Sequence, residues 1–83
     1  MFTNKAPNGL NNICGRNVTN LRKGLDGNVS QRAFAVMLQN AGLDIDKNAV
    51  QRIESGQRFV TDIELNVIAK VLIVSVDELL EKG

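Results

Sequence analysis

An all-α domain of five short helices is the fold class this sequence predicts, and three observations carry it. Apolar residues recur at helical spacing along the chain, with no convincing two-residue alternation of the kind a half-buried strand shows. Ser30, Asp46, Thr61 and Ser75 are residue types that cap helices. Each sits between two apolar residues placed as a hydrophobic staple: Val29 with Phe34, Ile45 with Val50, Val60 with Leu65, and Val74 with Leu79. The length of 83 residues, 43% of them hydrophobic, suits one domain near the lower limit for a core that needs no cross-links. The expected division is a flexible segment over 1–12 and a single domain over 13–83.

The first helix runs from about Asn12 to Gly24 and places Cys14, Val18, Leu21 and Leu25 on one stripe, so Cys14 reads as a small buried hydrophobe. Asp26-Gly27-Asn28 makes a turn. Ser30 then caps a second helix with Ala33, Phe34, Met37, Leu38 and Ala41 along one side, ended by Gly42. Asp46 caps a third helix, Lys47 to Ser55, closed by Gly56. Val50 and Ile53 form its inner face with Ala49 beside them, while Lys47, Asn48, Gln51 and Arg52 point outward. Thr61 with Glu64, and Ser75 with Glu78, are capping boxes. They open a fourth helix with Leu65, Ile68, Ala69 and Leu72 inward, and a short fifth with Leu79 and Leu80.

Composition excludes several function classes. With one cysteine and no histidine, neither an internal disulfide nor a Cys/His metal site can form. No glycine-rich phosphate loop is present, and Cys14 has no activating partner, so the reading is a non-enzyme with no metal, no cofactor and no evident small-molecule ligand. The chain has no signal-peptide pattern and no bilayer-length apolar stretch, from which a soluble, cytoplasmic protein without membrane contact is expected. Phe2, Phe34 and Phe59 are its only aromatic residues, and two of them read as core, which argues against the stacking platforms that hold single strands. Charge is unevenly divided. Residues 1–58 carry eight Lys or Arg against four Asp or Glu, for +4, whereas residues 59–83 carry two against five, for −3. Such a molecule offers a basic face to phosphates and an end that repels them.

Helices two and three, joined by a short connection and followed by supporting helices, have a helix-turn-helix layout. From about Ile13 to Leu80 the chain resembles phage repressor and Cro-like regulators, the XRE (Cro/C1) class with the lambda-repressor-like fold. The landmarks are Leu21-Arg22-Lys23, Ser30-Gln31 followed by Ala35, Val50 with Arg52-Ile53-Glu54 and Gly56, Arg58, Leu65, Ile68-Ala69-Lys70, Leu72, and Val74-Ser75-Val76-Asp77-Glu78-Leu79.

The resemblance implies a sequence-specific transcriptional regulator, most simply a repressor, that binds double-stranded DNA through helix 46–56 in the major groove. Lys47, Asn48 and Arg52 fall on base-contacting positions. Asn48 suits adenine, Lys47 or Arg52 suits guanine, and Lys47 alternatively holds a phosphate. Gln51 reaches a base or the backbone. Gln31 falls where a glutamine bridges a phosphate and a base-reading side chain, the alternative being a solvated first-turn residue. Arg58 and Lys23 correspond to phosphate clamps, with Arg32 beside them, and backbone amides at the starts of helices two and three add further phosphate contacts. Arg22 and Glu54 correspond to a structural salt bridge that locks helix one onto helix three.

Three departures from the family pattern stand out. The intervals from Arg22 to Gln31 and from Ala35 to Glu54 are longer than usual, so helix two is expected to gain a turn. Ile73 stands where a glycine often ends helix four, and because a β-branched residue resists positive φ, a different ending is expected there. Two copies on a pseudo-palindrome are expected, since one recognition helix selects too few bases, with Val76, Leu79 and Leu80 at the acidic end as the meeting place. The rival reading is an interaction module of the same fold, such as an antitoxin or an accessory subunit, which holds a protein instead of DNA.

Overall fold

The computed structural model describes residues 12–25, 27 and 29–81. Its five helices are α1 (Gly15–Lys23), α2 (Gln31–Asn40), α3 (Lys47–Glu54), α4 (Asp62–Leu72) and α5 (Val76–Leu80), with no strand among the described residues. Residues 1–11 of the expected flexible segment, Phe2 included, lie outside the described residues, as do Asp26 and Asn28 of the expected turn. No described helix is long and apolar enough to cross a membrane.

The caps explain where the helices start. The side chains of Ser30, Asp46, Thr61 and Ser75 accept from the backbone N–H groups of Ala33, Ala49, Glu64 and Glu78 respectively, and both capping boxes are complete. The apolar residues flanking each cap lie in the core or pack against it, so local signal and burial agree about each entry angle.

The endings of α2, α3 and α4 share one device. Past α2, Gly42 has φ +96°, and the Leu43 N–H bonds the Leu38 carbonyl at 2.9 Å. Past α3, Gly56 has φ +83°, and the Gln57 N–H bonds the Arg52 carbonyl at 2.9 Å. Past α4 the same loop recurs, with the Val74 N–H on the Ala69 carbonyl at 3.0 Å, but the left-handed position is held by Ile73 at φ 59°, ψ 47°. The expected change of ending at Ile73 is therefore corrected: the Schellman geometry is kept and isoleucine takes the strained conformation. Burial of Leu72 and Leu79 on either side fixes the chain direction there, while the Ile73 side chain is 86% exposed.

The core joins Val18 of α1, Phe34, Ala35 and Leu38 of α2, Val50 and Ile53 of α3, Leu65, Ile68, Ala69 and Leu72 of α4, and Leu79 of α5, with Cys14, Ile45 and Val60 from the connections. The inner face of α2 is rotated from expectation: Ala35 is buried whereas Ala33 and Ala41 are exposed, because Phe34, Ala35 and Leu38 together face the other helices. Of the aromatics, Phe34 is core but Phe59 is 49% exposed. The long interval before α3 is taken up by a ten-residue α2 and the connection 41–46.

The start of α1 differs most from expectation. The helix begins at Gly15, and Asn12 is folded into the body at 1% exposure. Its side-chain oxygen accepts from the Gly15 N–H at 2.9 Å, while its Nδ2 donates to the carbonyls of Ile53 at 3.1 Å and Arg58 at 2.7 Å. One amide thus opens α1 and closes the end of α3, satisfying backbone groups that burial would otherwise strand. Gly15 makes the close approach possible: a Cβ there would collide with the Ile53 carbonyl oxygen and lie 2.8 Å from that of Glu54. At the other end of α1, Asn17 Nδ2 donates to the carbonyls of Leu79 at 2.8 Å and Glu81 at 2.7 Å, fastening α5. Leu79 is fully buried within its own domain, and Val76 and Leu80 pack partly on the core. Of the three residues expected as a meeting place between copies, Leu79 is thus covered, while Val76 and Leu80 stay partly exposed.

Candidate nucleic-acid interface

The candidate interface is built on α3, a helix of eight residues whose inner side is pinned by Val50 and Ile53, each 1% exposed. Pinning one side leaves the other fixed in orientation: Lys47, Asn48, Gln51 and Arg52 are all exposed. Asn48, Gln51 and Arg52 line a shallow depression of about 270 Å³, completed by Ser55 and Gln57. The last two were not singled out from sequence. Their place follows from the turn at Gly56, which folds Gln57 back onto the end of α3. Three amides, a hydroxyl and a guanidinium give this surface both donors and acceptors, the equipment needed to match base edges or phosphate oxygens.

Behind α3, Arg22 and Glu54 form a bidentate ion pair, with Arg22 Nε to Glu54 Oε2 at 2.6 Å and Nη2 to Oε1 at 3.0 Å. Both side chains are more than nine-tenths buried, at 8% and 6% exposure. Glu54 Oε1 also accepts from Thr19 Oγ1 and Gln31 Nε2, each at 3.0 Å, and Arg22 Nη1 donates to the Val29 carbonyl at 2.7 Å. One carboxylate of α3 therefore gathers donors from α1 and α2. Burial would raise the Glu54 carboxyl, but hydrogen bonds from Arg22, Gln31 and Thr19, with the Arg22 charge, outweigh it and hold the group below its ordinary value. Glu54 stays ionised yet is neutralised by Arg22.

Two residues expected to face a ligand also have partners within the domain. Gln31 turns inward, spending an amide hydrogen on Glu54, because Glu54 Oε1 is the strongest acceptor within reach of the first turn of α2. Arg58 Nη1 pairs with Glu64 Oε2 at 3.0 Å and also donates to Glu64 Oε1 at 3.1 Å, bracing the start of α4. The expected contribution of backbone amides also divides. At α3 the Ala49 N–H is taken by Asp46 Oδ1 at 2.8 Å, and the exposed Asp44 and Asp46 carboxylates oppose a phosphate there. The start of α2 is capped by the neutral Ser30 and carries exposed Arg32, which keeps it open to an anion. Lys23, at the end of α1, is exposed as well.

Burial pushes the Cys14 thiol up to about 11, with the nearby Glu64 charge adding to the shift against a backbone hydrogen bond. Its Sγ donates to the Asn12 side-chain oxygen at 3.7 Å. Such a thiol is protonated at neutral pH and a poor nucleophile. Among the described residues no group of three or more Cys, Asp or Glu is placed to hold a metal ion. Compared with protein-family models, curated proteins and solved structures, the chain matches none.

Proposed function

We propose that this protein is a sequence-specific duplex-DNA-binding regulator, acting as a repressor, that reads the major groove with the outer face of α3. The observation that carries the reading is the pairing of an exposed Lys47, Asn48, Gln51 and Arg52 face with a rigidly buried opposite face on the same short helix. Asn48 and Arg52 supply bidentate geometry for adenine and guanine, and Gln51 and Lys47 extend the contact along the groove. Exposed Lys23 and Arg32, at the end of α1 and the start of α2, hold phosphates, fixing register without reading sequence. The Arg22–Glu54 pair fixes the tilt of α3 against α1, so that a displacement of either helix is felt at the reading face.

Two copies on a pseudo-palindrome would place equivalent helices about 10–10.5 base pairs apart, centre to centre, and supply the selectivity that one helix lacks. Binding to mixed-sequence duplex should weaken steeply with salt, with a slope of roughly −0.9 per neutralised phosphate. A flat salt response, together with capture of a protein and no duplex, would favour the interaction-module reading.

A further inference from the structure

We propose that the outer face of α4 is a self-complementary surface on which a second copy of this chain packs, with the two α4 helices antiparallel. The face is read from burial. Leu65, Ile68, Ala69 and Leu72 turn α4 inward, which leaves Asp62, Asn66 and Lys70 exposed in a row one turn apart that slants outward from the edge of the buried face, with Ile63 exposed on the opposite side and Val67 at its border. Ile63 is 61% exposed, and Phe59 just before the helix is 49% exposed, two of the four large exposed hydrophobics among the described residues.

Charge identifies the occupant. Asp62 opens the helix and Lys70 stands near its end, and neither has an ion-pair partner among the described residues. The spacing from Asp62 to Asn66 equals that from Asn66 to Lys70. A two-fold axis through Asn66 therefore sets Asp62 of each copy against Lys70 of the other, and Ile63 beside Val67 of the other. A surface complementary to itself under that operation is what an isologous contact requires. The amide of Asn66 can meet its own copy on the axis because it carries both a donor and an acceptor.

Area sets the strength. The stripe has about five residues a side, far below the roughly 20–30 of a standard interface, so the pair forms weakly and at high protein concentration. The inference does not rest on DNA reading, and its test contains no DNA.

In the full chain, Asn66→Cys places a thiol on the proposed axis, and Asn40→Cys places one on the exposed end of α2 as a control. Cys14 is buried and stays silent in both. In an air-oxidised or glutathione-buffered solution, Asn66→Cys should form disulfide dimers at least about tenfold faster than Asn40→Cys, since proximity raises the effective concentration of the two thiols. Asp62→Lys or Lys70→Asp, added to Asn66→Cys, should each remove that advantage, and the double exchange should restore it. A melt of each variant checks that it is folded. Equal oxidation at the two positions, or no rescue by the double exchange, would overturn the pairing and leave the face to another protein.

Discussion

Replacing Ile73 with glycine should stabilise this protein, against the usual direction of core-domain substitutions. Ile73 holds φ 59° in a loop whose two counterparts, after α2 and α3, have glycine. Left-handed backbone costs an L-residue about 1–2 kcal/mol, and a β-branched residue falls at the upper end. Against that relief stand two losses. The side chain is 86% exposed, so removing it gives up only about 0.3 kcal/mol of burial. Glycine also frees the unfolded chain by about 0.4–1 kcal/mol. The net gain is about 0.5–1 kcal/mol, which at this size raises Tm by roughly 3–6 °C.

Gly42→Ala runs the same experiment backwards. A Cβ there meets nothing within 4 Å, so the loss of about 0.5–1 kcal/mol comes from backbone conformation alone. Urea melts of the two variants and the parent, fitted with a common m-value, give the comparison. A urea midpoint for Ile73→Gly at or below the parent value would refute the strain argument, as would a neutral Gly42→Ala.

Three further outcomes follow from the packing and the site. Glu54→Ala should lose about 3 kcal/mol by stranding the Arg22 charge, visible as a large drop in a thermal melt; an unchanged Tm would contradict the buried pair. Because the folded Glu54 carboxyl lies below its ordinary value of 4.5, its contribution is fully present above that pH and fades as pH falls through the lower folded value. Stability of the parent should therefore decline below about pH 4.5, more steeply than that of Glu54→Gln. Gly15→Ala should lose at least about 2 kcal/mol because a methyl group meets α3 backbone that cannot move aside. Gly24→Ala, whose added Cβ has no neighbour closer than 3.4 Å, should be neutral or slightly stabilising. On a selected duplex, Asn48→Ala and Arg52→Ala should each lose about 1–3 kcal/mol and relax selectivity at one position. Lys23→Ala should instead weaken all duplexes alike, as fluorescence anisotropy on matched and scrambled sites would separate.

What could be read from sequence was local. Helix starts were legible because Ser30, Asp46, Thr61 and Ser75 act on N–H groups three residues away, and the staples repeat the message within the same few residues. The outer face of α3 was legible for the same reason, since Val50 and Ile53 fix its rotation. Contacts between distant segments were not. Asn12 reaches residues 41 and 46 positions on, Asn17 reaches the end of α5, and neither amide differs in sequence from a solvated one. Gly15 resembled any glycine near a helix start until the α3 backbone was beside it. Gln31 and Arg58 were singled out from sequence, but not their bonds to Glu54 and Glu64, which depend on how the helices pack. At Ile73 local preference yielded to burial on both sides, which propensity alone does not weigh.

If the outer face of α3 reads duplex sequence, selection of bound duplexes from a random pool should enrich an inverted repeat with half-sites about 10–10.5 base pairs apart. Repeating the selection with Asn48→Ala and with Arg52→Ala should blur a different position in each half-site. A pool that stays random after repeated rounds, or one whose enriched sequence is unchanged in both variants, would contradict base reading by α3.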